Sequence, residues 1–300
     1  MTYADIYLEA RSKLREITAA FDLEARLICA AASGKPREDL LRDLSLFAPA
    51  SFAATVEELV ARRLTGEPIA YILGEWEFYS LPVAVTRDTL IPRADTEVLA
   101  EAAIRAVRAR EMSEPYPTSY AKRFAPRREG ETRVLDLCCG TGCVGIAIAA
   151  NTSCRVVLAD KSAAALAVAR SNVARHRLAR RALCVEIDAL EPPPRLIGTF
   201  DVIVCNPPYI PSREIETLDA SVRDFEPRLA LDGGEDGLDF FRKVAAEWRG
   251  TLRERGILSF ECGAGQAPAV TDIMRRAGYV SVAAIRDTRD IDRVVAGVKL

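Results

Sequence analysis

The sequence has a single histidine, His176, and a net charge of only −2 from 41 basic and 43 acidic residues. One histidine argues against a histidine general base and against a histidine-rich metal site. A nearly neutral chain is not held on nucleic acid mainly by bulk electrostatics. We therefore expect no direct nucleic-acid binding.

Long apolar runs are absent as well. Runs such as residues 144–150 fall far short of the roughly 20 residues that a membrane helix needs. The first residues lack the basic start and apolar block of a secretory signal. We expect a cytoplasmic protein without membrane contact, in which the eight cysteines are reduced thiols.

One group of cysteines is close in sequence: Cys138, Cys139 and Cys143. It contains no Cys-x-x-Cys pair and no neighbouring histidine, so we expect small buried side chains and no metal site. The 49% apolar and 28% charged residues of the 300-residue chain are typical of a soluble globular protein with about two domains.

Apolar residues at helical spacing dominate residues 1–74, which we predict to be a small all-α domain. The first stripe consists of Ile6, Ala10, Leu14, Ile17 and Phe21. Residues 75–93 have two short strand-like runs around a turn at 80–82, which predicts a β-hairpin linker.

Strands and helices alternate within residues 94–300, as in a mostly parallel sheet covered by helices on both faces. The closing pair of strands, at 280–285 and 293–298, predicts an antiparallel edge strand. Residues 111–132 are polar, proline-rich and basic, and we interpret them as a solvated loop.

A glycine turn follows the apolar strand at 134–137, with the sequence Cys138, Cys139, Gly140, Thr141 and Gly142. Glycines let a ligand approach the backbone, and the N-terminus of the next helix favours partial negative charge. Alone, this pattern fits a dinucleotide site, an S-adenosylmethionine (AdoMet) site or a tight turn.

Two carboxylates follow the next two strands. Asp160 stands at a strand end, where it can accept hydrogen bonds from both ribose hydroxyls of a nucleoside cofactor; the alternative is a cap for the following helix. Asp188 can meet an adenine amino group, or it can be a turn residue.

The most specific pattern is Asn206-Pro207-Pro208-Tyr209, directly after the apolar strand at 200–205. The two prolines donate no backbone hydrogen bond and fix an extended turn. The Asn206 side-chain carbonyl and the Pro207 backbone carbonyl can accept both hydrogens of a planar NH₂ group, which can stack on Tyr209. Two acceptors stabilise the positive charge that develops as a methyl group arrives at a poorly nucleophilic nitrogen.

These residues resemble those of the class I Rossmann-like, AdoMet-dependent glutamine methyltransferases of peptide chain release factors (the PrmC/HemK family). The resemblance covers about residues 60–300 and includes the segments 66–74, 76–79, 90–97, 226–238 and 292–295. Position 138 departs from the family, which usually has glycine there. A cysteine at positive φ costs on the order of 1 kcal/mol.

The resemblance implies methyl transfer to the side-chain amide nitrogen of the glutamine in a release factor Gly-Gly-Gln motif, with S-adenosylhomocysteine as product. It makes Asn206, Pro207 and Tyr209 catalytic and has them hold the amide together with Pro208. AdoMet then contacts Cys138, Cys139, Gly140, Thr141, Gly142, Asp160, Asp188, Ala189 and Asn206. The N-terminal helices and the hairpin help to dock the release factor.

Three other functions are possible from the residues. A DNA adenine methyltransferase uses the same Pro-Pro-Tyr chemistry, but it needs basic grooves, and residues 1–74 carry a net negative charge. A non-enzymatic AdoMet-binding protein disagrees with the intact motif at 206–209. A nicotinamide-dependent dehydrogenase leaves that motif unexplained.

Overall fold

A computed structural model of the protein describes residues 1–35, 37–111 and 131–300. The basic residues of the predicted loop, Lys122, Arg123, Arg127 and Arg128, lie outside them. The helices are α1 (Tyr3–Leu14), α2 (Phe21–Ser33), α3 (Arg37–Arg42), α4 (Ala50–Leu64), α5 (Ile69–Leu73), α6 (Glu97–Glu111), α7 (Cys143–Asn151), α8 (Ala163–Arg175), α9 (Ala220–Arg223), α10 (Asp239–Glu247) and α11 (Ala267–Arg276). The strands are β1 (Glu75–Phe78), β2 (Leu81–Ala84), β3 (Arg133–Leu137), β4 (Arg155–Asp160), β5 (Ala182–Glu186), β6 (Phe200–Cys205), β7 (Leu252–Glu261), β8 (Tyr279–Arg286) and β9 (Asp292–Lys299).

The described residues form two compact units. The first contains Met1–Trp76 and Asp219–Phe225, and the second contains Glu77–Leu218 and Glu226–Leu300. The domains predicted at 1–74, 75–93 and 94–300 stay a prediction. The structure adds that Asp219–Phe225 belongs to the helical unit, which the sequence pattern does not indicate.

The core of the helical unit is formed by α1, α2 and α4. Ile6, Ala10 and Leu14 of α1 are buried as their spacing predicts. The predicted stripe is wrong as a single helix, because α1 ends at Leu14 and Ile17 is 41% exposed. Phe21 belongs to α2 and packs against the same core. No helix within the described ranges is both long enough and apolar enough to cross a membrane.

The predicted hairpin is formed by β1 and β2. Its turn lies at Tyr79 and Ser80, whose φ angles are 51° and 60°, and not at 80–82. Two consecutive positive φ angles are typical of the tight turns that match strand twist. Neither residue is the glycine or asparagine that usually marks such a turn.

The second unit is built on a seven-stranded sheet in the order β5-β4-β3-β6-β7-β9-β8. The strands β5, β4, β3, β6 and β7 are parallel, and β9 runs antiparallel between β7 and β8. The predicted α/β class is confirmed. The antiparallel strand itself lies one position inside the edge, because the crossover through α11 leaves a gap beside β7 that β9 fills.

Alternate strand residues enter two cores, one on each face of the sheet. Val134, Val202 and Val204 face the core that contains α6, α7 and α8. Leu135 and Ile203 face the core that contains α10 and α11. Burial on both faces explains why these strands are almost continuously apolar.

Asn172 of α8 ties the hairpin to the turn after β3. Its side chain accepts a hydrogen bond from Ala84 N at 2.7 Å and donates to Ala84 O and Thr141 O, both at 3.0 Å. Asn172 is fully buried, so water cannot replace these hydrogen bonds and each polar group needs its partner here.

We predict that Asn172→Ala lowers the free energy of unfolding by about 2–3 kcal/mol, because it leaves buried backbone groups unsatisfied. Urea denaturation measures the loss. Ser171→Ala, at an exposed position of the same helix, should change stability by less than about 0.5 kcal/mol. Equal effects of the two changes would contradict this account.

Candidate active site

A cavity of about 240 Å³ lies at the carboxyl ends of β3, β4, β5 and β6. The chain leaves β3 toward β4 on one side and later returns through β6 on the other. Ligands of open α/β sheets bind where the strand order reverses in this way. The cavity is lined by these predicted site residues: Cys138, Cys139, Gly140, Thr141, Asp160, Asp188, Ala189, Asn206 and Pro208. Gly142, Pro207 and Tyr209 do not line it.

The turn after β3 is fixed by backbone hydrogen bonds, one to β4 and one within the turn. Cys139 N donates to Ala159 O of β4 at 3.0 Å, and Gly142 N donates to Cys139 O at 2.7 Å. Gly142 has a φ of 77° and is the N-cap residue directly before α7. Cys138 has a φ of 62°, the conformation that its non-glycine side chain disfavours.

Asp160 accepts hydrogen bonds from the backbone N–H groups of Gly140 at 2.8 Å and Ser162 at 2.9 Å. Burial raises the pKa of its carboxyl group, against these two hydrogen bonds, which lower it. It therefore links the glycine turn to the start of α8 while it also faces the cavity. The sequence allows Asp160 to cap the following helix or to accept hydrogen bonds from a ligand. Its position in the structure is compatible with both roles.

Asp136 was not predicted as a site residue, yet it lines the cavity beneath the turn. Its carboxylate accepts from Gly145 N at 2.8 Å, and only 2% of the residue is exposed. Burial raises the pKa of Asp136 to about 7, and the charge of Asp160 adds to the shift. The sequence signal that could have identified Asp136 is a carboxylate within the otherwise apolar run of β3.

On the far side of the cavity, Asp188 has both carboxylate oxygens engaged. It accepts from Leu190 N at 2.9 Å and from Lys161 Nζ at 2.7 Å. Lys161 also lines the cavity and was not predicted. The neighbouring Ala189 is positioned by Trp248, whose indole N–H donates to Ala189 O at 3.1 Å.

The segment after β6 is held from behind by residues distant in sequence. Gln266 Nε2 donates to Tyr209 O at 2.9 Å, and Gln266 Oε1 accepts from Gly263 N at 2.9 Å. A Cβ atom at Gly233 would stand 2.7 Å from Tyr209 Cα, and one at Gly237 would stand 2.3 Å from Tyr209 O. Only glycine allows this close backbone approach.

The wall that contains Pro227, Leu229 and Ala230 is anchored by an ion pair. Arg93, which lines the cavity, pairs with the buried carboxylate of Glu226. Glu226 also accepts from Ile91 N at 3.3 Å. Glu226 thereby has a structural role.

Of the other residues that the sequence singles out, His176 lies away from the cavity, whereas Cys139 and Cys143 are buried in its wall. The His176 ring interacts with Pro82 O at 2.9 Å and does not line the cavity. Cys139 and Cys143 are buried, and burial raises the pKa of Cys143 to about 12. No cluster of potential metal ligands occurs among the described residues.

Two family models match the sequence: the PrmC N-terminal domain at residues 5–74 and the methyltransferase small domain at 121–230. The chain is 37% identical to the release factor glutamine methyltransferase of Geobacter sulfurreducens, over 92% of this chain and 88% of that protein. It is 38% identical to the one from Bordetella pertussis, over 92% of this chain and 94% of that protein.

A solved structure with the same fold is the hMettl16 catalytic domain in complex with the MAT2A 3'UTR hairpin 6. Its TM-score is 0.53, it covers 82% of this chain and 81% of the other, and the sequences are 15% identical. At this identity the likeness concerns the fold, which agrees with the predicted class.

We predict that Cys138→Gly is more stable than Cys138→Ala by about 1 kcal/mol, because alanine keeps the Cβ that strains a positive φ. Urea denaturation of both variants measures the difference. The same two substitutions at Cys184, which lies in β5 and does not have a positive φ, serve as the control. There Cys184→Gly should be less stable than Cys184→Ala by about 0.5–1 kcal/mol. The same order at both positions would show that position 138 is unstrained.

Proposed function

Because the chain belongs to the family of release factor glutamine methyltransferases, we propose that it methylates the glutamine of the Gly-Gly-Gln motif in peptide chain release factors. The acceptor atom is the side-chain amide nitrogen, and AdoMet is the methyl donor. A release factor substrate places the reaction in the cytoplasm. The N-terminal helices, which match the PrmC N-terminal domain, and the hairpin then help to dock the release factor.

The observation that carries the proposal is the position of Asn206 in the cavity. Asn206 follows β6, lines the cavity and stands near the glycine turn and Asp160. An acceptor for a planar amide and a carboxylate suited to ribose hydroxyls thus share one cavity. This is the arrangement that transfer between two bound molecules requires.

The residues of the cavity fit AdoMet. Asp160 can accept from ribose hydroxyls, Asp188 and Ala189 lie where adenine is expected, and the turn from Cys138 to Gly142 provides an approachable backbone. Bound AdoMet supplies an electrophilic methyl group on a positively charged sulfur. The carboxylates of Asp136 and Asp160 match that positive charge.

Asn206 and Pro207 act on the acceptor. The lone pair of an amide nitrogen is delocalised, so the nitrogen is a weak nucleophile. The Asn206 side-chain carbonyl and the Pro207 carbonyl accept its two N–H groups and stabilise the positive charge that develops there. Tyr209 follows the cavity-lining Pro208 and does not itself line the cavity; its proposed role is to offer a flat face for the amide. The Gln266 and glycine contacts hold its backbone in place.

Proton removal needs no dedicated base in this scheme. The amide nitrogen is positively charged once it has taken the methyl group. This cation is strongly acidic, so it loses one proton to water and leaves the neutral N-methyl amide. His176, held at Pro82 O, does not line the cavity. The chain's residues contribute orientation and charge stabilisation.

The decisive experiment is methyl transfer from labelled AdoMet to a purified bacterial release factor, beside a variant with Gln→Ala in the Gly-Gly-Gln motif. We expect label on the wild-type release factor alone. Label on both would indicate another acceptor. Label on neither, with AdoMet binding confirmed by calorimetry, would contradict the proposed substrate, and label on DNA would identify a DNA methyltransferase.

We predict that Asn206→Ala lowers kcat by roughly 100- to 1000-fold, the effect of removing one group that stabilises charge in a transition state. AdoMet binding should stay largely intact. Radiolabel turnover and calorimetry measure the two quantities. Asn151→Ala, at the end of α7, is the control and should leave turnover unchanged. Near wild-type turnover in Asn206→Ala would refute the assigned role.

We also predict that AdoMet binds more tightly as the pH rises through about 7, the pKa of Asp136. Below that pH the buried carboxyl is protonated, and a positively charged ligand must displace its proton. Binding near pH 6 should therefore release up to about one proton, and affinity should change by at most about tenfold per pH unit.

Calorimetry in buffers of different ionisation enthalpy measures this proton release. Asp136→Asn can still accept from Gly145 N, so it is the matched variant. It should lose the proton release that Asp136 causes. If the variant releases as many protons as the wild type, another group is responsible.

A further inference from the structure

Three side chains meet at the ends of two neighbouring strands, and two of them, Asn206 and Thr96, line the cavity. β6 and β7 pair in register with Cys205 opposite Phe260, so the next residues, Asn206 and Glu261, are lateral neighbours. Thr96 reaches them from the single turn Ala94–Thr96 that precedes α6. Thr96 and Glu261 are each only 2% exposed.

Asn206 Nδ2 donates a hydrogen bond to Thr96 Oγ1 at 3.3 Å. An asparagine amide has an acceptor end and a donor end of nearly the same shape, and its hydrogen-bond partners decide which end points where. With Nδ2 bound to Thr96, Oδ1 is the end left for a ligand. A flipped amide would present N–H groups to the N–H groups of a substrate amide, which cannot bind them.

The Thr96 hydroxyl has one hydrogen, and it is directed by Glu261. Because Oγ1 accepts from Asn206, its own hydrogen is available to Glu261. Burial raises the pKa of Glu261 to about 7, and the interaction with the Thr96 side chain lowers it. Above that pH, the Thr96 hydrogen therefore has an ionised carboxylate as its acceptor. Glu261 Oε2 has no hydrogen-bond partner. A Thr96 hydroxyl turned toward a flipped Asn206 would leave this buried carboxylate still less satisfied, so the flipped arrangement is disfavoured.

The turn that carries Thr96 is itself fixed by charge. Asp95 forms ion pairs with Arg289 and with Arg293, the latter at 3.1 Å. Arg293 is 7% exposed and also pairs with Asp287 at 3.3 Å. Arginines at the β8–β9 end of the sheet therefore fix the turn that carries the Thr96 hydroxyl.

We propose that Thr96 is a positioning residue whose hydroxyl, oriented by Glu261, locks the Asn206 amide with Oδ1 toward the substrate. The proposal rests on the proposed function only for the identity of the substrate amide. Thr96 does not act on the acceptor nitrogen itself. It selects between two nearly isosteric orientations of the residue that does.

The test compares Thr96→Val, which keeps the shape and removes the hydroxyl, with Thr96→Ser, which keeps the hydroxyl. Thr251→Val is the matched control: Thr251 is also buried, at 8% exposure, and its hydroxyl donates to Trp248 O at 2.8 Å. Each variant is assayed for kcat with the release factor, for the AdoMet dissociation constant and for melting temperature.

We expect Thr96→Val to lower kcat by roughly 10- to 100-fold with an unchanged AdoMet dissociation constant. Thr96→Ser should stay within about threefold of wild type, and Thr251→Val should lower only the melting temperature. A loss in Thr96→Val that Thr96→Ser does not rescue would show a packing role. A weakened AdoMet affinity with unchanged kcat would show that Thr96 serves the cofactor. Either result overturns the proposal.

A second measurement does not depend on the substrate. In protein with ¹⁵N-labelled asparagine, the Asn206 side-chain NH₂ signals are assigned by their loss in Asn206→Ala. Thr96→Val should shift them and speed their hydrogen exchange, and Thr96→Ser should not. Unchanged signals in Thr96→Val would refute the lock, even if the wild-type enzyme failed to methylate the release factor.

Discussion

The pairing of β6 with β3 is the constraint on which the site depends. Leu137 lies opposite Cys205, so the glycine turn and Asn206 leave the sheet side by side although they are far apart in sequence. The same ladder extends to β7, which brings Glu261 beside Asn206. Burial of both sheet faces fixes this register, because a shift by one residue would exchange the residues of the two cores. The neighbouring Cys205 thiol and burial together raise the pKa of the Cys138 thiol at this junction.

Much of the fold follows from the sequence because periodicity and burial are local signals. Continuous apolar runs such as 200–205 mark strands covered on both faces, and the helices between them mark crossovers. The signal fails where spacing continues past a helix end. Ile17 has the spacing of the stripe, yet α1 has already ended at Leu14. The next helix is joined to α1 by polar contacts: Asp22 Oδ1 accepts hydrogen bonds from Tyr7 OH at 2.6 Å and from Arg11 Nε at 2.8 Å.

The candidate site divides in the same way. Residues that depend on a local motif, such as Asn206 and Asp160, were identifiable because strand ends and turns place them. Thr96, Gln266 and Lys161 were not, because their roles arise from contacts across the fold that no spacing encodes. Cys138 is intermediate: the family resemblance implies glycine at this position, and the structure shows a φ of 62°. Asp136 illustrates a missed signal, since a buried carboxylate in a strand is costly unless it has a partner or a function.

The path of the chain between the two units limits how the protein can be divided. Asp219–Phe225 belongs with the helical unit although it stands between two parts of the other unit. Phe225 lies close to Gly66, where an added Cβ would be 3.7 Å from its ring. No single cut therefore releases either unit intact, and a truncation after Trp76 leaves the segment Asp219–Phe225 of the helical unit on the other fragment. Replacing the helical unit by that of a relative therefore requires the exchange of two separate segments of the chain, 1–76 and 219–225.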